Sequence, residues 1–213
     1  MSGSCLDLRP LFGLGLVVAL LAGCASSPPS KYYQLNPIQT RAAITRDSSF
    51  EKAEMIVVGP IHLPDYLDRP QIVTRVGENE LRRSEFDRWA GSLDSDVTRV
   101  LVEDISNHLP AESFSAVPWT PYLESQMPAS YRVEVLVDRF DGRLGDSVQL
   151  KAQWAVFAKN RTMLLKREAT ITAQVGGTSY DALVAAMSSV LERLSRDIAA
   201  GIGTLFQNVR TRE

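Results

Sequence analysis

Two histidines and two cysteines are all that 213 residues contain, and this shortage removes the ligands for a histidine-based metal centre and the pair needed for Cys/His nucleophilic catalysis. Excess charge of either sign is also lacking. With 23 Lys and Arg against 25 Asp and Glu, the net charge is −2, too balanced for gripping nucleic acid or another large polyanion. Only 13 Gly and 11 Pro occur, which excludes collagen-like and low-complexity chains. No G-x-S-x-G, H-E-x-x-H, paired-cysteine or phosphate-cradling G-x-x-x-x-G-K motif is present. These absences point to a non-enzymatic protein with no catalytic residues, no metal and no cofactor. What is there, 45% hydrophobic and 23% charged residues, suits one ordinary globular domain that buries a core without disulfides.

The long hydrophobic run that opens the chain is Leu11 to Ala22, LFGLGLVVALLA, behind a polar head whose positive side chain is Arg9. A membrane-spanning helix needs about 20 apolar residues, whereas a secretory signal needs roughly 7–15, so the run reads as a signal peptide. It ends in Leu21-Ala22-Gly23-Cys24, which resembles the bacterial lipobox. The resemblance implies cleavage after Gly23, with diacylglycerol on the Cys24 sulfur and an acyl chain on its new amino group. Residues 1–23 are then the signal peptide, 24–30 the lipidated cysteine and a short tether, and 31–213 a single globular domain. Cleavage discards Cys5 and acylation blocks Cys24, leaving no thiol for a disulfide. Three acyl chains exceed the two signals that stable anchoring requires. By resemblance to the lipoprotein sorting rule, Ala25 in place of Asp favours the outer membrane. The tether Ala25 to Ser30, ASSPPS, is six residues long and reaches roughly 20 Å when extended. The domain is therefore held close to the bilayer.

In the domain itself, KYYQL at Lys31 to Leu35 reads as a short strand, Ile38 to Glu54 as a surface loop, and Met55 to Ile61 as a buried strand whose end Pro60 restricts to an edge or exit. Gln71 to Val76 and Glu80 to Ser84 form an antiparallel pair around Gly77-Glu78-Asn79. The period then changes. Leu93, Val97, Val100, Leu101, Ile105 and Leu109 share one helix face, with Ser92 as N-cap and Pro110 as stop. After a connector from Val117 to Pro128, the alternation Tyr131, Val133, Val135, Val137, then Val148, Leu150, Ala152, Trp154, Val156, and a third strand ending about Gln174, describes a meander with one apolar face. Thr178 and Asp181 read as a capping box for a last helix whose face runs from Leu183 to Leu205. In that helix Glu192 and Arg196 pair on the far side, and Gly201 and Gly203 weaken the end. The expected fold is α+β, a two-layer domain with a largely antiparallel mixed sheet and two main amphipathic helices.

Single residues offer little chemistry. His62 beside a strand end and His108 near a helix C-terminus both read as structural. Asp94, Asp96, Glu103 and Asp104 read as a solvated helix face. Arg75, Arg82, Arg83 and Arg88 suit either phosphate head groups or, preferentially, an exposed hairpin with charged edges. Tyr66 and Leu67, in the Pro-bounded loop Leu63 to Arg69, and Trp89, before the first helix, are candidate partner contacts, because large aromatics anchor interfaces; packing in the core is the alternative for each. Trp119, in the connector, reads as the more exposed tryptophan.

The ordered set KYYQL, LPDYLDRPQIV, the run Asn79 to Leu93 containing Trp89-Ala90 and Ser92-Leu93, the Phe140-Asp141-Gly142 hairpin and SYDALVAAM resembles the ABC-type transport auxiliary lipoproteins, over about Lys31 to Ile202. The resemblance implies a non-enzymatic subunit of an intermembrane lipid transport system. Such a subunit sits on the periplasmic face of the outer membrane, docks a mammalian-cell-entry (MCE) domain membrane protein that bridges the envelope, supports membrane integrity, and forms a homo-oligomeric ring. It implies no nucleic-acid partner; the membrane is reached through the lipid on Cys24. A lipid-binding carrier, or an assembly factor acting without an MCE partner, is the alternative. The lipobox reading is checked by Cys24→Ala, which is expected to leave an unprocessed, unlipidated precursor by mass spectrometry of the membrane fraction; normal processing would contradict it.

Overall fold

The computed structural model describes residues 28–37, 53–126 and 129–210. The residues read as a signal peptide, Cys24, Ala25 and most of the loop read between Ile38 and Glu54 lie outside them. In chain order the elements are β1 (Lys31–Tyr33), β2 (Glu54–His62), a single 3-10 turn (Asp65–Leu67), β3 (Gln71–Arg75), β4 (Leu81–Trp89), α1 (Leu93–His108), β5 (Phe114–Pro118), a short α2 (Pro121–Gln126), β6 (Tyr131–Gly142), β7 (Ser147–Ala158), β8 (Met163–Gln174) and α3 (Tyr180–Arg210). The strands form two sheets, a five-stranded one ordered β5-β2-β6-β7-β8 and a three-stranded one ordered β1-β4-β3. The first is mixed: β2 runs parallel to β5 and β6, and β6, β7 and β8 form an antiparallel meander. In the second, β1 is parallel to β4, and β3 is antiparallel to it. The class is α+β, with the connector resolved into β5 and α2.

Alternation accounts for the core. Val133, Val135 and Val137 of β6 and Val148, Leu150, Ala152, Trp154 and Val156 of β7 are all buried, as successive side chains of a strand point to opposite faces. α3 packs on β7, β8 and α1. Its buried row is Leu183, Met187, Val190, Leu191, Leu194, Ile198 and Ile202, and α1 brings Val97, Val100, Leu101 and Ile105 into the same cluster. Fully burying each such side chain contributes about 1.5–3 kcal/mol.

Four local expectations change. Pro60 is not at an edge: β2 is central, and Gly59 and Pro60 sit where its pairing with β6 shifts register between Val58 and Ile61, a bulge being where a sheet tolerates a residue without an N–H. The N-cap of α3 is Ser179 rather than Thr178, its Oγ accepting the Ala182 N–H at 3.1 Å, three residues on as capping geometry requires. Ser92 does hold the N-cap position of α1, but its hydroxyl bonds the Ser95 hydroxyl and no backbone N–H. Gly201 is not a weak end either. The helix runs through it, and a Cβ there would lie 2.6 Å from the Trp154 ring and 2.9 Å from Leu165, so the absent side chain is what lets α3 approach the sheet.

A buried ion cluster joins the two sheets. Register shifts between Val137 and Arg139 in the β6–β7 pairing, so the apolar row is carried on by Phe140 and the next residue, Asp141, points to the opposite face. Asp141 is nonetheless fully buried. Arg75 of β3 clamps it with two bonds of 2.9 Å, Arg139 Nε donates to Oδ1 at 3.1 Å, and Tyr66 Oη donates to Oδ2 at 2.8 Å. Burial by itself pushes the Asp141 carboxyl up and is the largest single influence. The bonds from Arg75 and Tyr66, with the charges of Arg139 and Arg75, together outweigh it and hold the carboxyl below its ordinary value. Tyr66 is pushed up to about 12 by burial and then by its bond to Asp141.

Gly201→Ala is expected to destabilise the domain by about 1–3 kcal/mol through the clash with Trp154, while Gly203→Ala, with open space around it, stabilises it by up to about 1 kcal/mol; urea unfolding measures both signs. Asp141→Asn strands two arginines that are partly exposed, so the loss is about 2–4 kcal/mol, at or below the usual range for a broken buried pair. A depressed carboxyl pKa contributes stability that is fully present above the unfolded value of about 4 and disappears as the pH falls through the folded value. The difference between native protein and Asp141→Asn in urea midpoint therefore shrinks below about pH 4; a pH-independent difference contradicts the assignment.

Candidate functional site

The leading strand is laced into the body by side chains from three elements. Tyr33 Oη donates to Asp87 Oδ1 of β4 at 2.8 Å, and Asp87 is fixed in turn by the Ser84 hydroxyl at 2.8 Å. Burial, followed by the Asp87 bond, pushes the Tyr33 phenol up to about 12. Beyond the strand, the Leu35 N–H donates to Asp96 Oδ2 of α1 at 3.3 Å and Gln34 Nε2 to Asp96 Oδ1 at 3.1 Å. Arg99 donates both to the Leu35 carbonyl and to Asp96. One residue on, the Asn36 N–H reaches the Ser188 hydroxyl of α3 at 3.1 Å. Leu35 itself is fully buried. Asp96 was expected on a solvated face, yet it is 7% exposed because it receives this segment, and Asp104 is 1% exposed; Asp94 and Glu103 do face solvent.

Tyr66, Leu67 and Trp89 all pack against the domain's own core. Leu67 is 3% and Trp89 4% exposed, both inside the core cluster, and the Trp89 N–H is bonded to the Pro70 carbonyl. Tyr66 is half-buried with its hydroxyl on Asp141. The 3-10 turn that carries Tyr66 and Leu67 folds them under β3 and β6, so of the two readings of these bulky residues the packing one describes their positions. Arg75, grouped with the exposed hairpin arginines, belongs to the Asp141 cluster. His62 is exposed at the end of β2. His108 Nε2 lies 3.2 Å from Glu192 Oε1, linking α1 to α3. Glu192 does pair with Arg196, but it is 5% exposed and stands between the helices, where α1 packs, rather than on the far side.

Among the described residues no three His, Cys, Asp or Glu side chains gather as a metal ion requires, and no helix is long and apolar enough to cross a membrane. The geometry offers concave surface. A groove of about 580 Å³ runs between α1 and the β2–β5 end of the large sheet, with Pro60, Ile61, Val102 and Trp119 as apolar lining and Thr98 and Arg99 among its polar groups. Trp119 is half-buried, its backbone N–H bonded to the Val58 carbonyl at 2.8 Å. Gly59 beside it has φ +119°, and a Cβ there would meet the Trp119 Cβ at 3.0 Å, so a glycine keeps strand and indole in contact. The sequence signal for this groove was the unexplained Trp119; the buried roles of Asp96, Asp141 and Glu192 had no comparable signal.

Two curated relatives, the intermembrane transport lipoproteins PqiC of Escherichia coli K12 and of Shigella flexneri, are each 25% identical over 186 residues, covering 87% of this chain and 93% of theirs. Among solved structures, a crystal structure of an uncharacterised protein matches with a TM-score of 0.67 at 20% identity, over 82% of this chain and 99% of that one. A Xanthomonas campestris protein matches at 0.64 and 13% identity, over 85% and 99%. At such identities the two structures establish the shared fold. The sequence profile of the ABC-type transport auxiliary lipoprotein component matches residues 33–199, most of the chain, and the protein belongs to that family.

Proposed function

We propose that the protein is a non-enzymatic outer-membrane lipoprotein that docks the envelope-spanning MCE component of an intermembrane lipid transport system and thereby supports membrane integrity. Cys24 carries the lipid, the domain faces the periplasm, and several copies assemble as a ring around the component they dock. The observation that carries this reading is the lacing of residues 33–36 into β4, α1 and α3. Because the segment after Lys31 is built into the domain, only the six residues Ala25 to Ser30 separate it from Cys24, and the body stays within roughly 20 Å of the lipid. A domain held that close is placed to receive an elongated partner arriving at the bilayer and is poorly placed to reach across the periplasm. The names of the relatives, which place them in intermembrane transport, support the same role, and the family is one of transport components rather than of enzymes.

The test is affinity capture of a C-terminally tagged full chain from detergent-solubilised membranes. An MCE-domain membrane protein is expected to co-purify, with the captured lipoprotein running at a multiple of its monomer mass. Capture of lipid with no MCE-domain protein would replace docking with a carrier role.

A further inference from the structure

A second cavity, of about 450 Å³, opens at the end of the large sheet where β6 begins and β7 finishes. Val57, Trp119 and Phe157 give it an apolar floor, while Arg132, Lys159 and Arg161 line it with cations; Glu134 is the one carboxylate in the lining, and Arg132 Nη1 stands 3.8 Å from it. The strand register explains the grouping. Val57 pairs with Arg132 and Arg132 with Phe157, and directly opposed residues share a face of the sheet. They stand on the face opposite to Val133 and Val156, the side that buries the helices.

Arg161 is held there against its backbone preference. In the three-residue turn Lys159 to Arg161, closed by the Ala158 N–H on the Thr162 carbonyl at 2.9 Å and the Arg161 N–H on the Ala158 carbonyl at 2.8 Å, Arg161 has φ 63°. This is the left-handed position that such hairpins give to glycine. Glycine would remove the strain; an arginine keeps it and adds a cationic residue to the cavity lining. Lys159, at the other end of the same turn, lines the cavity from beside it.

We propose that this cavity binds a phosphate-bearing amphiphile, its anionic head on Arg161, Lys159 and Arg132 and the first part of its apolar chain on Val57, Phe157 and Trp119. The excess of cations sets the sign of the ligand, and the apolar floor separates it from a free anion. The volume falls in the range of small-ligand sites, about 300–1,000 Å³. Arginine provides the forked donor that suits phosphate. The site extends the function beyond docking and stands or falls separately from it, since it asks for no protein partner.

The test titrates the full chain, purified from membranes in an uncharged detergent at low ionic strength, with short-chain phosphatidylglycerol below its micelle concentration and, separately, with inorganic phosphate. Calorimetry and tryptophan fluorescence follow binding. Saturable binding of the lipid, with inorganic phosphate much weaker, is the expected result. Arg161→Gly and Lys159→Ala are each expected to weaken lipid binding about tenfold. The Arg161→Gly thermal midpoint should hold or rise, since glycine suits the turn, so its loss of binding cannot be unfolding. No saturable lipid binding, or affinity unchanged in both variants, overturns the site; inorganic phosphate binding as tightly as the lipid overturns its assignment to an amphiphile.

Discussion

Leu35, fully buried and held on either side of its peptide groups by Asp96 and Arg99, is the point where the leading segment becomes part of the core. Much else follows from that junction. An acidic side chain on the first turn of α1 is spent on a backbone N–H and an amide rather than on solvent, which a buried donor demands. The next bond, from Asn36 to Ser188, ties the same segment to α3. The first strand, α1, α3 and β4 are thus held in one arrangement by a stretch of chain that would otherwise be a linker.

The Asp141 cluster does the corresponding work on the other side of the large sheet. A single inserted residue in β6 turns a carboxylate to the face away from the helices, and two arginines and a tyrosine from three separate segments make its burial tolerable. Arg75 consequently bridges the two sheets, and Tyr66 ties the 3-10 turn to β6. An aromatic between prolines reads equally well as an interface anchor, because both settings favour a large side chain with a polar end.

Particular residues show what could be read beforehand. The valines of β6 and the Trp154 row of β7 announce their strands by simple alternation, and α1 and α3 by the 3.6-residue period, so the class of fold was legible. Asp141 was not, since the phase change that buries it lies in one unpaired residue and leaves no mark in composition. Glu192 misled because α3 is covered on more than one side, and a charge between two packed helices looks, in sequence, like a charge on an open one. Asp96 misled for the related reason that its partner, Leu35, is far away in the chain. Gly201 shows the limit of propensity: its cost to the helix is outweighed by the contact with Trp154 that only glycine permits.

The chain belongs to a transport auxiliary lipoprotein family and its first strand starts at Lys31; in the proposed docking role only Ala25 to Ser30 separates the lipid from it. If docking depends on that proximity, length is the variable to change. Inserting a flexible Gly/Ser segment of about 20 residues between Ser30 and Lys31 adds an r.m.s. span of roughly 25 Å while leaving lipidation and the laced segment intact. Recovery of the proposed MCE-domain partner with the tagged protein is then compared for the two tether lengths. The account predicts that the long-tether protein stays membrane-bound and folded but captures markedly less partner; equal capture at both lengths would contradict it.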